Sequence, residues 1–158
     1  MIFLVITYGI SGSGKSTASK QYEKEGFVRV SPDDMRKEMT GSISDLSKDK
    51  EVFEACYYKA YTSLKKGKNV IFDSTSLNYV YRKRIQRVGL KAGACVSLLV
   101  FNDSNNLELC KSRVVSDISN GIERSNVPME VIEKQFIDFK NNLEFLEDEG
   151  FDGVVEYE

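Results

Sequence analysis

The 158-residue chain contains no histidine. This absence excludes a Ser-His-Asp triad, a metal ion held by imidazole ligands, and a histidine that acts as a general base. If the protein removes a proton during a reaction, a carboxylate or a lysine must accept that proton. We therefore look for catalytic residues among the acidic side chains and the lysines.

Cysteine is also scarce, and the chain has no C-x-x-C spacing. The three cysteines are Cys56, Cys95 and Cys110, and we expect them to be buried free thiols of a cytoplasmic protein, in a host cytoplasm if the chain is phage-encoded. No apolar run is long enough to span a bilayer. The apolar residues 1–4 follow no basic leader, so we expect a core strand there rather than a signal peptide.

A strong positive charge is missing as well. The chain has 22 basic and 24 acidic residues, and its formal net charge is −2. No global basic field is available to attract nucleic acid, so any polynucleotide contact must be a local patch. The acidic end of the chain, residues 144–158, is expected to be a solvated surface.

Short apolar runs alternate with longer segments of helical period, and this alternation is typical of βαβ units with a parallel sheet. Strands are predicted near residues 2–8, 27–30, 69–73, 94–101 and 154–157. Helices are predicted near residues 15–25, 32–40, 49–66, 79–92, 105–120 and 129–148. The sequence thus predicts one α/β domain over residues 1–158, a three-layer α/β/α sandwich around a mainly parallel sheet.

The most informative motif is the phosphate-binding loop pattern G-x-x-x-x-G-K-[ST], which Gly9 to Ser16 fit between a predicted strand and a predicted helix. Backbone N–H groups of such a loop, and the N-terminus of the helix after it, favour phosphate oxygens. Lys15 is expected to reach the β- and γ-phosphates, and Ser16 to ligate Mg²⁺. The residues assigned to nucleotide binding are Gly12, Ser13, Gly14, Lys15, Ser16 and Thr17.

The loop alone does not distinguish GTPases, motors, transporter ATPases and kinases. The chain lacks an N-K-x-D guanine motif and is short for a motor or a transporter ATPase, so we favour a small phosphotransferase with ATP as donor. Such an enzyme needs a mobile segment whose arginines neutralise developing charge. Arg113 and Arg124 flank a polar stretch that we interpret as part of a helical lid, approximately residues 105–128, and one or both are expected to contact the triphosphate.

The acceptor site is predicted at residues 30–36, because this segment follows the second strand and opens at the carboxyl edge of the sheet. Asp33 and Arg36 share a helix face, so Asp33 would accept the hydroxyl proton while Arg36 holds an anionic group. The alternative interpretation is local: Ser31 and Asp34 form a capping box, and Asp33 and Arg36 form a surface pair.

The third predicted strand, residues 69–73, ends in a carboxylate. Asp73 is therefore expected near the phosphate loop, where it would hold Mg²⁺ or the water molecules around it. The alternative is an aspartate that only forms a turn.

Together these blocks resemble the kinase domain of polynucleotide kinases, which phosphorylate 5′-hydroxyl ends. The Gly9–Thr17 loop, the Asp33-Asp34-Met35-Arg36 block, the segment from Asp73 to Asn78 and Val127-Pro128 are similar, in order, to the family's phosphate loop, D-D-x-R motif, D-x-T-N segment and lid end. The resemblance implies that Asp33 is the general base and that Arg36 binds the phosphate beside the acceptor hydroxyl. It also implies that Thr75 and Asn78 bind the acceptor, and that ATP and Mg²⁺ are required.

Relatives with these motifs serve several acceptors. One group phosphorylates the hydroxymethyl group of 5-hydroxymethyluracil within DNA, and others act on nucleosides, nucleotides or small metabolites. A nucleotide-switched binding protein without transfer activity is a different class, and such a protein has no use for Asp33 facing the γ-phosphate. The sequence predicts a kinase for a nucleic-acid hydroxyl, with the 5′-hydroxyl end as first choice.

Overall fold

The computed structural model describes residues 1–158, and five parallel strands form the centre of the fold. The strands are β1 (Phe3–Tyr8), β2 (Val28–Val30), β3 (Val70–Phe72), β4 (Cys95–Phe101) and β5 (Gly153–Tyr157). Their order in the sheet is β2-β3-β1-β4-β5. All four strand pairs are parallel, so the predicted parallel sheet is confirmed.

Six α-helices connect and cover the strands: α1 (Lys15–Lys24), α2 (Pro32–Thr40), α3 (Asp49–Lys65), α4 (Tyr79–Lys91), α5 (Leu107–Ser119) and α6 (Met129–Leu143). Short 3-10 turns at Asn102–Asn105 and Leu146–Asp148 precede α5 and β5. None of the helices is both long and apolar enough to cross a lipid bilayer. The predicted helix 129–148 ends earlier, at Leu143, because the chain then bends to bury Leu146.

The two faces of the sheet bury apolar residues in separate clusters. The larger cluster packs alternate residues of β1, β3 and β4 against α3, α4, α5 and α6, and it includes Leu4, Ile6, Tyr8, Val70, Phe72, Val96, Leu98, Cys56, Leu64, Ile85, Val114, Ile132 and Phe139. The smaller cluster packs Ala18 of α1 against Leu99 and Phe101. Residues that alternate along a strand point to opposite faces, so the fold has helices on both faces and confirms the predicted three layers.

A buried ion pair joins α4 to the segment before β5. Arg82 is completely buried, and its Nε and Nη2 each lie 2.7 Å from a carboxylate oxygen of Glu149. The Nη1 group of Arg82 donates to the carbonyl oxygens of Ser76 and Leu77. The prediction that the acidic end is a solvated surface is therefore wrong at Glu149. Asp152 is exposed, and its carboxylate also accepts from the backbone N–H of Val96.

Replacing Arg82 with methionine should lower the free energy of unfolding by about 3–5 kcal/mol, because the Glu149 carboxylate would stay buried without its counter-ion. Urea denaturation followed by circular dichroism measures this loss. The matched control is Arg84→Met, which breaks the pair with Glu54. Both of those side chains are about half exposed, so the control should cost less than about 1 kcal/mol. Equal losses in the two variants would contradict a structural role for the buried pair.

Candidate active site

A cleft of about 790 Å³ opens at the carboxyl edge of the sheet, beside the ends of β1, β2 and β3. Most residues assigned from the sequence line this cleft: Gly12, Ser13, Gly14, Lys15, Ser16, Thr17, Asp33, Arg36, Asp73, Thr75, Arg113 and Arg124. Asn78 does not line it. Its side-chain oxygen instead accepts hydrogen bonds from the backbone N–H groups of Val80 and Tyr81 and caps α4.

The phosphate loop connects β1 to α1, and two of its glycines have a conformation that other residues rarely adopt. Gly12 and Gly14 have φ angles of 82° and 98°. A Cβ atom on Gly12 would also lie 2.3 Å from the carbonyl oxygen of Cys110 on α5, so only glycine fits there. Helix α1 starts without a side-chain cap, which leaves its first N–H groups free to donate to a phosphate.

Lys15 lies at the start of α1 and is buried in the cleft. Its Nζ donates a 2.7 Å hydrogen bond to the carbonyl oxygen of Ile10 in the loop itself. Burial lowers the pKa of Lys15 to about 8, against the opposing effect of the Asp73 carboxylate. The lysine is therefore held over the loop, where its charge is available to a phosphate below that pH.

The outer side of the loop is fixed by residues that sequence reasoning did not identify. The backbone N–H of Ile10 donates to Ser104 Oγ, and that of Ser11 donates to Gln135 Oε1. Gly9 N–H donates to the carbonyl oxygen of Thr75. Ser104 and Gln135 are far from the loop along the chain and belong to no motif, so the sequence holds no signal for them.

The acceptor block forms the first turn of α2. Ser31 is the N-cap, and its Oγ accepts from the backbone N–H of Asp34. The carboxylate of Asp34 does not complete the capping box of the alternative interpretation, because it pairs with Arg29 on β2. Asp33 points to the cleft with its side chain half exposed, and one of its oxygens accepts from Arg36 Nη1 at 2.7 Å. Burial raises the pKa of Asp33, although the hydrogen bond from Arg36 opposes that effect.

Arg36 is almost fully buried and has more partners than the sequence indicated. Its Nε and Nη2 contact the two carboxylate oxygens of Asp49 at 2.7 and 3.2 Å. Its Nη1 donates to Asp33 and to the carbonyl oxygen of Ile43. Four of the five N–H donors of an arginine are thus used within the protein. This geometry orients Asp33 and leaves one N–H of Arg36, a residue that lines the cleft, without a partner in the protein.

Asp73 directly follows β3, and its side chain is only 5% exposed. Its Oδ2 accepts from Ser19 Oγ at 2.8 Å and from Arg29 Nη2 at 2.6 Å, whereas its Oδ1 accepts no hydrogen bond. Ser16, at the start of α1, is exposed. The structure contains no cluster of three or more acidic or cysteine side chains that would hold a metal alone. A carboxylate oxygen and a hydroxyl fit Mg²⁺, which binds through few protein ligands together with substrate phosphates.

Both arginines predicted for the lid face the cleft, and each is paired with an aspartate. Arg113 on α5 lies 2.8 Å from Asp103 and donates to the carbonyl oxygen of Gly12. Arg124, in the segment between α5 and α6, lies 2.7 Å from Asp117. The Nε of Arg124 is buried and has no hydrogen-bond partner. A phosphate group in the cleft would compete with Asp103 and Asp117 for hydrogen bonds from these two guanidinium groups.

Comparison with known proteins identifies the family of this chain. The model of the AAA domain family matches residues 4–142. Among curated protein sequences, none is significantly similar to the chain. A chain of the Pnkp1/Rnl/Hen1 RNA repair complex has a similar structure, with a TM-score of 0.79 and 24% identity. That similarity covers 90% of this chain but only 45% of the other, so this chain spans less than half of its length.

Two other structures are similar over nearly their whole length. A sugar kinase from Janibacter sp. HTCC2649 has a TM-score of 0.63 and 20% identity, over 99% of this chain and 86% of its own. The APS kinase CysC of Mycobacterium tuberculosis, in complex with AMPPNP and APS, has a TM-score of 0.55 and 19% identity, over 89% and 98%. Because the family model matches residues 4–142, this chain belongs to the AAA domain family. It has the fold of a polynucleotide kinase-like P-loop kinase.

Proposed function

We propose that the protein is an ATP- and Mg²⁺-dependent kinase that transfers the γ-phosphoryl group to a hydroxyl on nucleic acid, with the 5′-hydroxyl end of a polynucleotide as the acceptor. One observation carries the proposal. Asp33, a half-exposed carboxylate oriented by Arg36, shares a cleft with Lys15 and the phosphate loop. A base opposite a triphosphate site is what a kinase needs and a nucleotide switch does not.

In this mechanism the acceptor oxygen attacks the γ-phosphorus, and the bond from that phosphorus to the β–γ bridging oxygen breaks. Asp33 accepts the hydroxyl proton, and ADP leaves with the bridging oxygen. Lys15 and the loop N–H groups bind the phosphates, while Arg113 and Arg124 neutralise charge on the transferred group. Mg²⁺, held by Ser16 and Asp73, would supply further neutralisation of the phosphate oxygens.

The nucleic-acid acceptor is supported by the order of the four motif blocks and by the similar fold in the Pnkp1/Rnl/Hen1 complex. The remaining donor of Arg36 suits the phosphate beside the acceptor hydroxyl. A second candidate is a small-molecule kinase. It is favoured by the similarity to the sugar kinase and the APS kinase, which extends over 86% and 98% of those chains.

The acceptor is tested with γ-labelled ATP and three acceptors in parallel: a 5′-hydroxyl oligonucleotide, an end-blocked duplex that contains 5-hydroxymethyluracil, and a mixture of nucleosides, nucleotides and sugars. We expect label on the oligonucleotide. Label on the blocked duplex alone would keep the chemistry and move the function to base modification. Label in the mixture alone would make the protein a small-molecule kinase.

Asp33→Asn should lower kcat by about 10²–10⁴-fold, because general-base catalysis supplies a factor of that order. The affinity for ATP should stay within about twofold, since Asp33 belongs to the acceptor side of the cleft. Steady-state kinetics and a fluorescent ATP analogue measure the two effects. The control is Asp148→Asn, an exposed aspartate away from the cleft, which should behave as the wild type. Loss of both activity and ATP binding, or of neither, would remove Asp33 from the role of base.

ATP affinity should fall as the pH rises through about 8, because burial lowers the pKa of Lys15 to that value and its charge is lost above it. Bound phosphate restores the charge, so binding at about pH 9 should take up a proton, whereas binding at about pH 6.5 should not. Calorimetry in two buffers of different ionisation enthalpy measures the uptake. Lys15→Met should abolish it, and proton uptake in that variant would assign the titration to another group.

A further inference from the structure

Arg29 is a buried cation that no motif includes, although it lies in the strand before the acceptor block. It occupies the middle of β2, between Val28 and Val30, and its side chain is 7% exposed. The side chains of Val28 and Val30 point to the opposite face of the sheet, and Val30 is buried in the larger core cluster. The Arg29 guanidinium lies on the face covered by α1 and lines the cleft.

All three nitrogen atoms of this guanidinium have partners, and each partner comes from a different part of the site. Nη2 lies 2.6 Å from Asp73 Oδ2, Nε donates to Ser19 Oγ at 2.8 Å, and Nη1 donates to the carboxylate of Asp34. Ser19 Oγ in turn contacts the same Oδ2 atom of Asp73. Arg29 therefore joins α1, the end of β3 and the first turn of α2 in one network.

The network determines which oxygen of Asp73 is available. Because Oδ2 is held by both Arg29 and Ser19, the carboxylate cannot rotate without breaking two hydrogen bonds, and Oδ1 alone remains for a ligand in the cleft. Removal of a residue that hydrogen-bonds to a metal ligand commonly lowers metal affinity 10- to 100-fold.

The third contact extends the network to the acceptor side. Asp34 is adjacent to Asp33 on α2, and its carboxylate is two-thirds exposed except where Arg29 binds it. This contact anchors the turn that carries Asp33 to the strand edge beside Asp73. One planar side chain thus sets the separation between the carboxylate on the metal side and the base on the acceptor side.

We infer that Arg29 is a positioning residue for phosphoryl transfer, which orients Asp73 toward the Mg²⁺ of bound nucleotide and, through Asp34, aligns Asp33 with the acceptor. The inference rests on the proposed function. It assigns Arg29 no contact with either substrate, so its removal should alter how the cation assists nucleotide binding and how fast transfer occurs.

The test compares the dissociation constant of a fluorescent ATP analogue with and without Mg²⁺ in the full chain. Arg29→Met should reduce the enhancement of affinity by Mg²⁺ about tenfold. Arg29→Lys should recover part of that enhancement, because it restores the charge beside Asp73, but it should not restore kcat, because an ammonium group lacks the planar fork. Arg84→Met removes a surface arginine that is paired with Glu54, and the enhancement should be unchanged in that control.

Asp34→Asn isolates the acceptor side and affects an exposed residue, so it remains informative if Arg29→Met does not fold. It should leave the Mg²⁺ enhancement within about twofold and lower kcat by about three- to tenfold with the acceptor identified for the wild type. Wild-type kcat in Asp34→Asn would overturn the link to the acceptor. An unchanged or increased Mg²⁺ enhancement in Arg29→Met or, if that variant is unfolded, in Ser19→Ala, would overturn the link to Asp73.

The two proposals fail in different ways. If the wild-type protein transfers phosphate to no acceptor but its Mg²⁺ enhancement still depends on Arg29, the kinase assignment is wrong and the role of Arg29 toward Asp73 holds. If transfer is observed and no Arg29 or Asp34 variant changes either measurement, the kinase assignment holds and Arg29 only stabilises the fold.

Discussion

Parallel pairing of β1 with β3 and β4, and of β2 with β3, brings the carboxyl ends of the strands to one edge of the sheet. Everything in the cleft depends on this arrangement. The phosphate loop follows β1, the acceptor block follows β2, and Asp73 follows β3, so residues far apart in the chain meet within one cavity. An antiparallel neighbour would place its chemistry at the opposite edge. Ligand sites of open α/β folds lie at this carboxyl edge for the same reason.

Most of the fold could be predicted from the sequence, because its signals are local. Apolar runs predicted the five strands, and Pro32 after the N-cap Ser31 indicated the start of α2. The partners within the site could not be predicted in this way. Asp49, Ser104 and Gln135 reach the site from distant parts of the chain, and side-chain spacing contains no information on such contacts. Arg29 offered one weak signal, a charge between two valines of an apolar strand.

The limit of prediction from the sequence is clearest at the acidic end of the chain. A run of acidic residues normally remains in water, since a buried carboxylate needs a counter-ion. Here the chain turns after α6 and places Glu149 against Arg82, which is fully buried in the core. The counter-ion lies 67 residues away in the sequence, so only the tertiary fold reveals that the pair exists. Asn78 shows the converse: its place in a motif suggested a ligand contact, but it caps a helix.

The close approach of Gly12 to the Cys110 carbonyl shapes one side of the cleft. The backbones of the phosphate loop and α5 touch there, and Arg113 adds a hydrogen bond to Gly12 from the next turn of the helix. The first half of α5 and the phosphate loop therefore pack directly against each other. Arg124 instead reaches the cleft from the irregular segment 120–128. A side chain at position 12 would therefore push α5, and Arg113 with it, away from the phosphate loop.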